Sequence, residues 1–266
     1  MTMNDKNAPK VKVEEQGHIL VITFNRPEKY NALDPESFKL LSKALYRLEH
    51  THSLRVGIIQ AAGAHFTSGL ELDKWAPIFA KGLKVDMEED ELDPYGIDGE
   101  RLSKPLICAV QGLCYTSGLE LLLNTDIRLA TADTRFAQLE VKRGIYACRG
   151  GTIRLPEEIG WSNAQRYLLT GEEFTAEQAL NWGMIQEIVE LEELHKRAFE
   201  LAEKIAKVAP LGVQASLRSS KLSRNNSQAT AFAQLTADLP AVMKSKDAQE
   251  GVMSFLQRRE AQFVGA

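Results

Sequence analysis

The 266-residue sequence lacks the features that settle many functional assignments at once. Its three cysteines, Cys108, Cys114 and Cys148, form no CxxC pair, which excludes a disulfide framework and a zinc ribbon. Its five histidines stand in no ligand spacing with carboxylates or cysteines, so no metal is expected. No apolar run is long enough for a membrane helix, and the polar stretch from Met1 to Lys10 has no apolar leader; the expectation is a cytoplasmic protein that meets no membrane. The 32 Lys and Arg residues form no long cluster and face 36 acidic ones, a net charge of -4 that argues against nucleic acid as the main partner. What remains is a chain long enough to bury roughly three quarters of its unfolded surface without staples.

One stretch is present twice. Thr67-Ser-Gly-Leu-Glu-Leu72 recurs letter for letter at Thr116-Ser-Gly-Leu-Glu-Leu121. Serine followed three residues on by glutamate, ahead of an apolar run, is the capping-box pattern, so the two copies predict helices that begin at Ser68 and Ser117. The first turn of a helix carries unpaired N–H groups and partial positive charge. Two such starts facing each other would make an oxyanion hole.

Around these copies the chain reads as alternating strands and helices. Residues 11 to 24 form a hairpin that turns at Gly17, with Ile19 to Phe24 as a central strand. Asp34-Pro35 opens a helix to about His50, with Phe38, Leu41, Leu45 and Leu48 on one face. Strands are expected at Val56 to Gln60, Pro105 to Val110, Asp126 to Ala130 and Ile185 to Val189, in a mostly parallel sheet. Residues 73 to 103, with the acidic run Met87 to Pro94, read as a mobile surface insertion. Gly150-Gly151 suggests a close backbone approach at another helix start. Short helices follow at Ser162 to Leu169 and from Thr175 to a stop at Gly183. From Leu194 onward the chain reads as helical, broken at Pro210 and Pro240.

The ordered set Phe24-Asn-Arg-Pro-Glu-Lys-Tyr-Asn-Ala-Leu33, Phe66-Thr-Ser-Gly-Leu-Glu-Leu72, Lys104 to Gly112 with the second hexapeptide, Phe136-Ala-Gln-Leu-Glu140 and Ala179 to Ile185 resembles the crotonase (enoyl-CoA hydratase/isomerase) superfamily. The resemblance runs from Val11 to Phe263. It implies an α/β fold, a ClpP-like spiral of ββα units over residues 1–200, and a C-terminal helical trimerisation region at residues 201–266. It also implies an acyl-CoA thioester substrate, coenzyme A entering as part of that substrate with no separate cofactor, and homotrimers that can pair into hexamers. Carried onto this chain, the oxyanion N–H groups fall at Ser68 and Ser117 and the catalytic carboxylates at Glu120 and Glu140. Substrate and CoA contacts fall at Arg26, Lys29, Ala32 and Leu70, with Arg258 and Arg259 as further phosphate candidates. Leu139 replaces the usual proline, Leu70 and Glu71 depart from the usual Ala-Asp, and Cys148 and Arg149 stand in the acyl-side loop.

Hydration of an enoyl thioester needs donors for the carbonyl oxygen and two carboxylates around one water, one accepting a proton while the other delivers one. The function expected is therefore an enoyl-CoA hydratase that makes a 3-hydroxyacyl-CoA. Double-bond isomerisation on the same fold is the alternative, and a catalytically silent scaffold or RNA-binding relative is the reading from a different class. The competing reading of Glu120 is a capping carboxylate bonded to the Ser117 N–H, and that of Glu140 a surface carboxylate paired with Lys142 or Arg143. Glu71 reads as a cap or surface group, not as a third acid.

Overall fold

The computed structural model describes residues 8–81 and 87–266. Strands β1 (Val11–Gln16) and β2 (Ile19–Phe24) form the expected antiparallel hairpin, and the fully buried β2 begins the parallel run. Helix α1 (Pro35–His50) starts on Asp34, whose side chain accepts from Ser37 N at 2.8 Å, and buries Phe38, Leu41, Leu45 and Leu48 as its spacing requires. There follow β3 (Val56–Ala61), α2 (Leu72–Phe79), β4 (Leu106–Val110), β5 (Leu113–Tyr115), α3 (Ser117–Leu123), β6 (Ile127–Ala130), β7 (Arg135–Ala137), α4 (Gly151–Ile159), α5 (Trp161–Thr170), β8 (Phe174–Thr175), α6 (Ala176–Asn181), β9 (Glu187–Ile188) and α7 (Leu194–Ala206). Helices α8 (Pro210–Asn225), α9 (Gln228–Met243) and α10 (Lys246–Gln257) complete the chain.

Two sheets stack into a spiral. The larger has the order β1-β2-β3-β4-β6-β9, parallel from β2 onward; the smaller has the order β5-β7-β8. Two successive turns place one strand in the large sheet, one in the small sheet, then a helix: β4, β5, α3 is one, and β6, β7 leading to α4 is the next, whereas the β3–α2 turn has only the isolated Thr67–Cys114 bridge in place of a small-sheet strand. This is the ββα repeat that the resemblance implies. On one face of the large sheet α7 presents Leu194, Ala198, Ala202 and Ala206 at four-residue spacing, and its alanines let it lie close against Val56, Ile58, Ile107 and Ala109. The rest of the core, including α1 and α3, lies in a second cluster with Phe24, Phe66 and Phe136.

Three expectations are corrected here. No helix begins at Ser68: Thr67 bridges Cys114 and Leu70 bridges Leu33 in extended backbone, and α2 starts only at Leu72. Residues 73–103 are not simply a mobile insertion. Within them Trp75, Leu92 and Tyr95 are buried, Phe38 packs on Trp75 and Tyr95, and the acidic run is pinned to α1 by the pairs Lys39–Glu88 and Lys43–Asp90. The part of that expectation covering residues 82–86 lies outside the described residues. Pro240 does not break the chain but sits inside α9, whereas Pro210 opens α8 at its first position. Among the described residues no helix is long and apolar enough to cross a membrane.

Candidate active site

The two hexapeptides meet at the turn between the sheets and α3. Thr67 runs parallel to Cys114, with Thr67 N to Leu113 O at 2.9 Å and Tyr115 N to Thr67 O at 3.1 Å. Their glycines interlock. A Cβ on Gly69 would stand 1.8 Å from Thr116 Oγ1, and a Cβ on Gly118 2.2 Å from Thr67 Cγ2, so each copy's glycine is closed by the other copy's threonine. Gly69 also has φ +102, a backbone that side chains rarely adopt.

Counting three residues on from each bridged partner, Thr67 and Cys114, reaches Leu70 and Ser117. Ser117 is the first residue of α3, and among the described residues its N–H meets no acceptor. The same holds for Leu70, because Leu33 bonds the groups on either side of it, Gly69 O and Glu71 N, at 2.8 and 3.0 Å. Ser68 does not fill the role expected of it: its N–H donates to Tyr30 O at 3.0 Å. Of the N–H groups in the two copies, those of Leu70 and Ser117 are therefore left without an acceptor among the described residues.

Glu120, 3% exposed, follows one turn into α3. It does not cap the helix. Its Oε1 accepts from Arg149 N at 2.7 Å and Gly151 N at 3.0 Å, groups at the start of α4. Gly151 is required there, since a Cβ would lie 2.8 Å from the Gln138 amide head and 3.1 Å from Glu120 Oε1. Glu140, 9% exposed, begins a 3-10 turn, Glu140–Arg143, and among the described residues forms no ion pair with Lys142 or Arg143. With its amide oriented to satisfy both ends, Gln138 donates to both Glu140 oxygens at 3.0 Å. Gln138 thus holds the Glu140 carboxylate, with its amide head packed at Gly151, a role that its place in the Phe136–Glu140 motif does not reveal.

Burial pushes the Glu120 carboxyl up from the ordinary 4.5 to about 7; the Glu140 charge adds to this, while the Gly151 and Arg149 N–H groups oppose it. Burial likewise raises Glu140 to about 7. Two neighbouring carboxyls poised near neutrality can exchange protons with one water. A cavity of about 290 Å³ opens against Glu140, lined by Gln138, Tyr146, Thr152, Trp161 and Leu168, which leaves ample room for water to reach it.

The expected phosphate contacts fare differently. Arg26 is turned inward, donating to Ala32 O at 2.7 Å and pairing with Glu71 at 2.8 Å and Asp34 at 3.5 Å, so it buttresses the loop instead of standing free for a phosphate. Ala32 and Leu70 lie against this loop, through the Arg26 bond and the Leu33–Leu70 bridge, and Lys29 is exposed at its rim. Arg259 closes in a fork on Glu250, at 2.5 and 2.8 Å, and Arg258 ends α10 in a left-handed conformation.

Comparison with known proteins follows the same lines. A family model for enoyl-CoA hydratase/isomerase matches residues 14–266. An enoyl-CoA hydratase of Mycobacterium tuberculosis is 35% identical over 262 residues, 97% of each chain. The (E)-benzylidenesuccinyl-CoA hydratase of Thauera aromatica is 33% identical over 263 residues, 96% of this chain and 99% of its own. A crystal structure from Mycobacterium abscessus, described as a probable enoyl-CoA hydratase/isomerase, superposes with a TM-score of 0.93 at 41% identity, covering 97% of this chain and 99% of that one.

Proposed function

The chain belongs to the enoyl-CoA hydratase/isomerase family, and from that premise we propose that it is an enoyl-CoA hydratase, adding water across the double bond of a 2-enoyl-CoA. The observation that carries this reading is the pair Glu120 and Glu140, both buried and both near neutrality, beside two unengaged backbone N–H groups. The thioester carbonyl oxygen accepts from the N–H groups of Leu70 and Ser117, where charge builds as the reaction proceeds. One carboxylate takes a proton from water as the water oxygen bonds to C3. Electrons shift through C2 onto the carbonyl oxygen, and the other carboxyl returns a proton to C2 as the carbonyl reforms. Because the two titrations are coupled, the roles belong to the pair.

Coenzyme A enters as part of the substrate, and the reaction so written needs no separate cofactor. Lys29 is the phosphate contact retained from the first loop. The C-terminal helices form the assembly surface of a homotrimer, alone or paired into a hexamer; the apolar side chains that α9 and α10 leave exposed, Phe232, Leu239, Met243, Phe255 and Leu256, support that role. The cytoplasm, where acyl-CoA thioesters and water are both at hand, is the compartment that fits.

The test is turnover of a panel of straight, branched and ring-bearing 2-enoyl-CoA thioesters in 18O-enriched water, with products read by mass. A hydratase gives products heavier by one labelled water. Products of unchanged mass would make the chain an isomerase, and no turnover by folded protein would overturn the enzyme reading.

A further inference from the structure

His65 stands just ahead of the first hexapeptide and takes no part in the chemistry described above. Its segment runs beside the one that leads into α3: Phe66 N donates to Gln111 O at 2.8 Å, Thr67 N to Leu113 O at 2.9 Å, and Tyr115 N to Thr67 O at 3.1 Å. In a regular parallel ladder the rung before these last two would run from Leu113 N to the His65 carbonyl. That carbonyl accepts instead from Asn31 Nδ2 at 2.7 Å, and Leu113 N donates to His65 Nδ1 at 3.2 Å. The imidazole thus stands in for a backbone acceptor, which places its hydrogen on Nε2.

The ring is closely held in this place. Gly112, at φ +56, approaches so near that a Cβ would stand 2.3 Å from His65 Nδ1 and 2.2 Å from Ala64 O. Tyr30 stacks on the ring, with centroids 5.0 Å apart and planes at 19°, and Tyr30 O accepts from Ser68 N at 3.0 Å. Asn31, 2% exposed, commits its amide to Ala62 O and His65 O and its carbonyl to the Thr67 hydroxyl. The next pair along the ladder is Thr67 and Cys114, from which Leu70 and Ser117 are each three residues away.

We propose that His65 is a positioning residue for the carbonyl-binding pair: by holding Leu113 N, its ring keeps the Leu70 and Ser117 N–H groups in register. This rests on the hydratase reading of the same site. Because Asn31 occupies the His65 carbonyl, the register of the two donors depends on one ring nitrogen. The side-chain oxygen of asparagine, at the same bonded distance from Cβ, can replace that nitrogen as an acceptor, whereas a phenyl ring or a methyl group cannot.

The test compares wild type with His65→Phe, His65→Ala and His65→Asn, in full-length protein whose melting is checked first. Butanoyl-CoA labelled with 13C at its thioester carbonyl has no double bond to hydrate, and when bound it gives an infrared band that moves to lower frequency as its oxygen accepts hydrogen bonds. In His65→Phe, which keeps a ring to stack on Tyr30, the displacement of that band should fall to about half, and kcat on a 2-enoyl-CoA should drop about tenfold with KM within about twofold. His65→Asn should bring both back close to wild type. A wild-type band in His65→Phe overturns the proposal, and so does a His65→Asn variant as impaired as His65→Phe, since the ring would then act through its bulk and not through Nδ1. Should His65→Phe fail to fold, a wild-type band in His65→Ala overturns it equally. If wild type binds butanoyl-CoA but turns over no enoyl thioester, the hydratase reading fails while the band still decides whether His65 sets the register of the donors.

Discussion

The two copies of Thr-Ser-Gly-Leu-Glu-Leu have the same letters and different structures. In the first, Thr67 lies level with the β5 residue Cys114, and four residues pass before α2 begins at Leu72. In the second, Thr116 comes after β5, and α3 begins at the next residue. The copies are thus out of step by two residues in the spiral, and that offset assigns their glutamates. Glu71 ends at the edge of the loop, paired with Arg26; Glu120 is carried one turn into a buried helix, against the start of α4 and beside Glu140. A capping motif offers a helix start, and the surrounding strands decide whether it is taken. The copies still cooperate, through the reciprocal Gly69–Thr116 and Gly118–Thr67 contacts and through one free N–H each.

The strongest way to break this contrast is at the second copy's partner. Glu140→Gln should lower kcat for enoyl thioester hydration about a thousandfold, measured by loss of the conjugated absorbance. Next in size is a pH effect on stability. Below about pH 4.5 Glu120 is protonated in both folded and unfolded chains and contributes nothing to the difference. As pH rises through about 7 the folded carboxyl must ionise in a dry site while the unfolded one is already charged, so stability is lost between those values. Glu120→Gln removes that loss. It should unfold in urea with about 3 kcal/mol more stability than wild type at pH 8, and with no such gain at pH 4.

The interlock supplies a smaller effect. Gly118→Ala should destabilise by about 2 kcal/mol through the clash with Thr67 Cγ2. Thr67→Ser removes that methyl while keeping the hydroxyl that bonds Asn31 O, so in the double variant most of the loss should return, as read by denaturant midpoints. Smallest of all, Arg26→Gln should lower stability by about 1 kcal/mol and raise KM for CoA thioesters less than Lys29→Gln does. A larger KM effect at Arg26 would restore it as a phosphate contact.

Much of the fold was legible because periodicity and capping chemistry agreed with it. The spacing of Phe38, Leu41, Leu45 and Leu48, the Asp34-Pro35 start and the β-branched run to Phe24 each point to the element that forms. The order of motifs singles out Glu120 and Glu140, both of which the structure buries, whereas the Ser68 N–H and the Arg26 side chain are engaged within the protein, against expectation. Both depend on which loop oxygen lies opposite, Tyr30 O for one and Ala32 O for the other, and no local pattern encodes that. Tyr95 was missed because an acidic run disguises the buried aromatic that follows it, and Gln138 because its role exists only when Gly151 and Glu140 are brought to it.

The most direct test of the offset between the copies is the same substitution made in both. Glu120→Gln and Glu71→Gln should be compared by kcat/KM on one 2-enoyl-CoA at pH 7, in protein shown to be folded. The predicted result is a loss of about a thousandfold for Glu120→Gln and a change within about threefold for Glu71→Gln. Comparable losses in the two variants, or full activity in Glu120→Gln, would contradict the assignment of the chemistry to the second copy.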